Sequence, residues 1–162
     1  MAQRTITVGA VSKEYRMIGW RVGWIVAPPA IIDDIALVNI SNVVCPVGIA
    51  QAAATVALQA PDADIAAASA EWQNRRDTIL KELEGFPIVK PQGGWSMLLD
   101  VSGFGLTGAK ASQRLLERGK IAATAMTGWG SKRSANFVRF VFSNEPVSRL
   151  RGLRERVEAA IY

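Results

Sequence analysis

The feature that most limits the fold is a change of hydrophobic period at Gly85. Before it, Ile65, Ala68, Trp72, Ile79 and Leu83 recur near helical spacing, which predicts a long helix over 63–84 with Gly85 as its C-cap. Arg75 and Arg76 interrupt that apolar stripe. After Gly85 the pattern shortens into β-branched and aromatic runs, and 88–90, 95–101, 121–125 and 137–142 read as strands. Helices are expected over 109–118, ended by Gly119, and over 147–161, where Leu150, Leu153, Val157 and Ile161 share a face. All-helical and all-strand folds are thereby excluded. The chain is expected to be α/β, with a helix-flanked small sheet of α+β character in its later part.

The earlier part reads as βα. Segments 4–8 (RTITV) and 20–26 (WRVGWIV) have strand composition; Pro28 and Pro29 lead into a helix over 30–43, and Pro46 opens another to about 60. No charged residue falls between Ile35 and Pro61. That stretch is long enough to span a bilayer, but Asn39, Ser41, Asn42, Pro46, Gly48 and Gln51 crowd its middle, and two helices with a break between them fit better. The N-terminus has no apolar run of signal-peptide length. A soluble, cytoplasmic protein without membrane contact is the expectation, divided at 1–60 and 61–162.

Composition removes several kinds of chemistry. The 162 residues include no histidine, which excludes a Ser-His-Asp triad, a Cys-His pair and a His-ligated zinc, and no metal site is expected. The single cysteine, Cys45, cannot form an intramolecular disulfide. The net charge of +5 is concentrated late: Lys132, Arg133, Arg139, Arg149, Arg151, Arg154 and Arg156 stand against two acidic residues between Ser131 and Arg156. Nucleic-acid binding is one reading of that cluster. A solvated helix face with one or two anion-binding arginines is preferred, because no interleaved aromatics accompany the charge. Gly103, Gly105 and Gly108 match a dinucleotide fingerprint, but the following strand ends in Thr127 and Gly128 where a ribose-binding acid is required, so the segment is read as a flexible connection.

The phrase from Ser12 and Lys13 to Gly19, Arg21 and Gly23 carries more. Lys13 sits where a strand exits into a turn, beside a small hydroxyl residue, and Arg21 follows eight positions later between two glycines. A lysine that forms a Schiff base must reach an aldehyde and lose its proton easily. A fixed guanidinium nearby can hold a phosphate dianion as a fork, and flanking glycines let the backbone approach a ligand. This segment resembles the lysine signature of the class I/II pyridoxal-phosphate-dependent aminotransferases of fold type I. The resemblance extends in order along the chain. Pro91-Gln92-Gly93-Gly94-Trp95 is similar to the phrase that opens a small-domain strand in that family; 122–130 lies where the family has a threonine-proline-glycine turn and a phenylalanine-glycine; and 137–143 is similar to the strand whose arginine grips the substrate carboxylate.

The resemblance implies a transaminase acting on an α-amino acid and a 2-oxo acid, with pyridoxal 5′-phosphate as cofactor, a homodimer by family habit. Lys13 would bind the cofactor aldehyde and shuttle the proton between the substrate α-carbon and C4′. Ser12 and Arg21 would lie at the phosphate, and Arg139 would pair with the α-carboxylate. Lys13, Arg21 and Arg139 would then surround one small molecule. Segment 1–60 would be the end of the cofactor-binding large domain and 61–162 the small domain, making the chain the carboxy-terminal portion of such an enzyme. Ala10, Arg16 and Ala125-Met126 depart from the family pattern, and Ala10 removes one phosphate contact. The family's phosphate-binding glycine turn, ring-stacking aromatic and pyridinium-binding aspartate precede the matching region. Weak cofactor binding by this chain alone is therefore expected. The alternative is a non-catalytic truncated paralogue that persists as a folded, oligomerising module.

Overall fold

The computed structural model describes residues 1–130 and 132–162. They form two compact units, Met1–Ala66 and Ala67–Tyr162.

The first unit opens with a 3-10 turn at Ala2–Arg4, and its strands β1 (Thr7–Ala10) and β2 (Gly23–Val26) pair antiparallel, with Gly9 opposite Trp24 and Ala10 opposite Gly23. Both strands start later than the sequence pattern indicates. The 3-10 turn occupies the residues before β1. Before β2, Ile18–Trp20 form another, and Arg21 is left-handed. Between the strands lies the one-turn helix α1 (Val11–Glu14). The expected pair of helices follows as α2 (Pro29–Val43) and α3 (Gly48–Gln59). Val44, at φ 65°, marks the break between them, and no helix among the described residues is long and apolar enough to cross a membrane.

Little in this unit is buried. Val11, Ala50 and Ala54 are its buried hydrophobic residues, whereas Val8, Ile25, Leu37, Val38, Ile40, Val43 and Val56 are exposed. A two-stranded hairpin and two helices with so small a core are marginal in isolation.

The second unit has a continuous core. Helix α4 (Ala63–Glu82), which begins in the first unit, contributes Ile79 to it, with Leu83 just beyond. The three-stranded antiparallel sheet runs β3–β5–β4, from β3 (Ser96–Asp100), β4 (Thr124–Ala125) and β5 (Phe137–Val141). Strand alternation turns Met97, Leu99, Val138 and Phe140 inward, onto α5 (Gly108–Glu117) and α7 (Leu153–Ile161). The run at 88–90 is reduced to a single bridge, Ile88 to Leu99, because Pro87 and Pro91 flank it without N–H donors. The expected final helix is two pieces: α6 (Val147–Leu150) stops at an extended Arg151, and Gly152, at φ 71°, redirects the chain into α7. Glu82 Oε2 accepts from the Leu153 N–H at that new start (3.1 Å), a cap from a distant helix.

The two arginines that interrupt the α4 stripe are ties rather than flaws. Arg75 donates to the Ser143 carbonyl at 2.6 Å and Arg76 to the Pro91 carbonyl at 3.4 Å. The Gly103–Gly108 segment is an ordered turn, not a loose connection. Gly105 is left-handed at φ 67°, Thr107 Oγ1 caps α5 by accepting from the Lys110 N–H, and a Cβ on Gly108 would lie 2.3 Å from the Phe137 carbonyl oxygen. Gly105 and Gly108 therefore serve a reversal and a helix–strand approach.

Asp100 holds the end of β3. Its Oδ1 accepts from the Ser102 hydroxyl (2.6 Å) and N–H (3.0 Å), and Arg133 reaches Oδ2 at 2.9 Å. The Ser102 hydrogen bonds, with the Arg133 charge as a smaller cause, hold its pKa below the ordinary carboxylate value. A depressed folded-state pKa contributes stability that is present above the unfolded-state value and is lost as pH falls through the folded one. Asp100→Asn should therefore destabilise the second unit by a constant amount above about pH 5, and the gap to the wild type should close below about pH 4. Thermal melts across that range read the difference directly.

Candidate functional site

Lys13 owes its place to Val11, which is fully buried and pins the connection between β1 and β2. The Val11 N–H donates to the Val22 carbonyl, and its own carbonyl accepts from the Met17 N–H, both at 3.2 Å. The chain therefore folds back on itself. Ser12 and Lys13 leave β1 on α1, and Arg21 stands two residues before β2.

The structure brings Ser12 and Arg21 together. Arg21 Nη1 donates to Ser12 Oγ at 3.3 Å and to the Ile18 carbonyl at 2.8 Å. Both bonds use the same terminal nitrogen, Nη1. Arg21 also has φ 55°, a left-handed conformation costing about 1–2 kcal/mol for a residue with a Cβ. Such strain persists where the surroundings dictate it. Of the flanking glycines, Gly19 has open space, whereas a Cβ on Gly23 would lie 2.8 Å from the Gly9 carbonyl oxygen. The close approach at Gly23 is thus to the chain's own backbone. Gly9 in turn lies under the Trp24 indole, 2.4 Å from where a Cβ would sit.

A cavity of about 540 Å³ opens beside this pair. Ser12 and Arg21 line it together with Trp24, Ile32, Ile35 and Asn39. Its size is that of a small-molecule site. Hydroxyl and guanidinium donors at one place, with an indole and aliphatic walls around the remainder, suit a flat aromatic ring bearing a phosphate. Ala10 lines the same cavity and offers no hydroxyl to it, while Arg16 takes a left-handed φ of 55° in the turn after α1.

Arg139 belongs to the second unit. The alternation that buries Val138 and Phe140 places it on the opposite face of β5, paired with Leu98 of β3 and Thr124 of β4. Its guanidinium carbon lies over two indoles, 5.1 Å from the Trp95 ring centroid and 4.8 Å from that of Trp129. Its Nε is buried without a hydrogen-bond partner. The other late basic residues behave differently: Arg133, Arg149 and Arg154 pair with Asp100, Glu145 and Glu158, and Arg156 donates to main-chain carbonyls. The indoles around Arg139 escape a search for charge and spacing, although both occur in the phrases that carry the resemblance. Ala125-Met126 forms an edge strand and its exit, where the Met126 N–H donates to the Phe137 carbonyl. Among the described residues no cluster of three potential metal ligands occurs.

Comparison with known proteins identifies the family along nearly the whole chain. A family model described as aminotransferase class I and II matches residues 1–157. An aspartate aminotransferase of Pyrococcus abyssi is 31% identical across 99% of this chain and 42% of its own length. An arginine–pyruvate transaminase of Pseudomonas aeruginosa is 30% identical across 91% of the chain and 38% of its own length. Among solved structures, an aromatic aminotransferase from Pyrococcus horikoshii superposes with a TM-score of 0.85 at 31% identity, covering 98% of this chain and 43% of that one. The chain thus spans about two fifths of the length of these relatives.

Proposed function

Because the chain belongs to the class I and II aminotransferase family, we propose that it is the carboxy-terminal portion of a pyridoxal-phosphate-dependent transaminase moving an amino group between an α-amino acid and a 2-oxo acid. The observation that carries this reading is the Ser12–Arg21 pair, set one residue from Lys13 and lining a cavity with apolar walls. Those residues fit the cofactor's phosphate and ring. When bound, the cofactor supplies an electron sink for the pair left at the substrate α-carbon. Ser12 and Arg21 would hold its phosphate, and Lys13 would anchor its aldehyde and carry the proton to and from the substrate α-carbon. Arg139 receives the α-carboxylate through its terminal nitrogens. Residues 1–60 serve as the end of the cofactor-binding domain and 61–162 as the small domain.

The exposed apolar surface of the first unit supports the assignment as a portion of a larger fold. Helix α2 buries none of its residues despite Ile31, Ile32, Ile35, Leu37, Val38 and Ile40. The test supplies the remainder: a chimaera joining the amino-terminal part of the Pyrococcus horikoshii aminotransferase to this chain. It should retain the cofactor, turn yellow and transaminate, while the chain alone should lose cofactor on gel filtration. A soluble chimaera that neither colours nor turns over would remove the proposal.

The same apolar surface favours a second reading, a non-catalytic module that associates with itself. It requires higher-order species in sizing experiments without cofactor. A clean monomer at micromolar concentration would count against it.

A further inference from the structure

We propose that Trp95 and Trp129 are positioning residues for Arg139, holding its guanidinium in one orientation and partly dehydrated so that its terminal nitrogens receive a planar carboxylate. The inference rests on the reading of Arg139 given above. Arg139 is held in a different way from its basic neighbours. Arg133, Arg149 and Arg154 are neutralised by resident carboxylates, whereas no carboxylate among the described residues reaches Arg139 within ion-pair distance. Its cross-strand partners, Leu98 and Thr124, carry no charge. Two indoles attract it instead, from 5.1 and 4.8 Å.

This difference decides what the guanidinium can still do. A carboxylate would occupy the hydrogen-bonding fork and cancel the charge. An aromatic face attracts the cation through its quadrupole and leaves the N–H edges unused. Nε is already shut from water without a partner, so this side of the group has lost its hydration and regained no hydrogen bond. Such a cation gains more from an incoming anion than a solvated one does.

Both tryptophans are anchored at the main chain. The Trp95 carbonyl accepts from the Phe142 N–H at 3.1 Å, fixing it against the end of β5. The Trp129 N–H donates to the Met126 carbonyl at 3.0 Å, closing the turn that leaves β4. Trp129 remains 62% exposed, so core packing does not account for so large an indole there. That exposure also makes it replaceable without emptying the core.

The test titrates the 15N-labelled chain with hydrocinnamate, using hydrocinnamamide as the uncharged control. Binding is followed at the Arg139 Nε–Hε and Trp129 indole N–H resonances, with thermal melts confirming that each variant folds. The wild type should respond to the acid and not to the amide. Trp129→Leu should weaken binding about three- to tenfold, from a cation–π contribution of about 0.7–1.4 kcal/mol, and Trp129→Phe should restore most of it. If Trp129→Leu binds like the wild type, or Phe weakens binding as far as Leu, the ring clamp is wrong. If Arg139→Ala abolishes the response in those same experiments, the carboxylate reading survives that loss. If the wild type gives no carboxylate response, or Arg139→Ala retains it, both fall.

Discussion

In the chimaera, Lys13→Ala should abolish borohydride fixation of the cofactor to the protein and lower turnover by at least about 10²–10⁴-fold, the usual contribution of positioned acid–base catalysis. The expectation follows from the role of Nζ as both aldehyde partner and proton carrier. Added methylamine should restore a fraction of the rate by supplying an amine in place of the missing one. Arg21 provides a sharper companion. Arg21→Gly removes the phosphate fork and at the same time relieves the left-handed φ of 55°. The variant should bind cofactor about 10–150-fold more weakly, from the loss of about 1.5–3 kcal/mol in hydrogen bonds to a charged group. Its fold should be no less stable than the wild type. Equilibrium dialysis and thermal melting measure the two sides. A variant that lost stability and cofactor together would mark Arg21 as structural.

The second large effect is on the core. Phe142→Ala should destabilise the Ala67–Tyr162 unit by about 3–5 kcal/mol, because it deletes a large side chain that is 2% exposed at the end of β5. Urea denaturation should show a lower midpoint with an unchanged slope. The two units should also differ when made separately. Among the described residues the second has sixteen buried in one core cluster and should unfold cooperatively, whereas the first buries only Val11, Ala50 and Ala54 and should not hold its hairpin alone.

Much of this architecture was legible from periodicity. The helix from Ala63, the break between α2 and α3, and β5 with its alternating core residues follow from residue spacing alone. The misread boundaries have local causes that propensity does not contain. Gly152 breaks a helix whose apolar spacing runs straight through it, and Arg21 takes a conformation in which glycine is the usual residue. Two prolines reduce 88–90 to one bridge. Gly119 looks like a helix stop, yet Lys120 takes the positive φ, and a Cβ on Gly119 would meet the Arg156 carbonyl oxygen at 2.7 Å.

The site divides along the same line. Spacing singled out Lys13 and Arg21, whose place on a strand–turn connection is a local property. The Ser12–Arg21 bond depends on how that turn closes around Val11. The indoles at Arg139 depend on a tertiary arrangement of three segments, which one sequence read alone does not reveal. Arg75 and Arg76 teach the same lesson: interruptions of an apolar stripe become ties once the partner carbonyls are known.

Borohydride reduction of the chain mixed with pyridoxal phosphate, followed by peptide mapping, tests the central assignment most directly. Lys13, Lys81, Lys90, Lys110, Lys120 and Lys132 are all exposed, so accessibility alone gives no preference among them. The account predicts that the label concentrates on Lys13, and that unphosphorylated pyridoxal, which Ser12 and Arg21 cannot hold, labels the six lysines without that bias. Equal labelling with pyridoxal phosphate, or a preference for any other lysine, would contradict it.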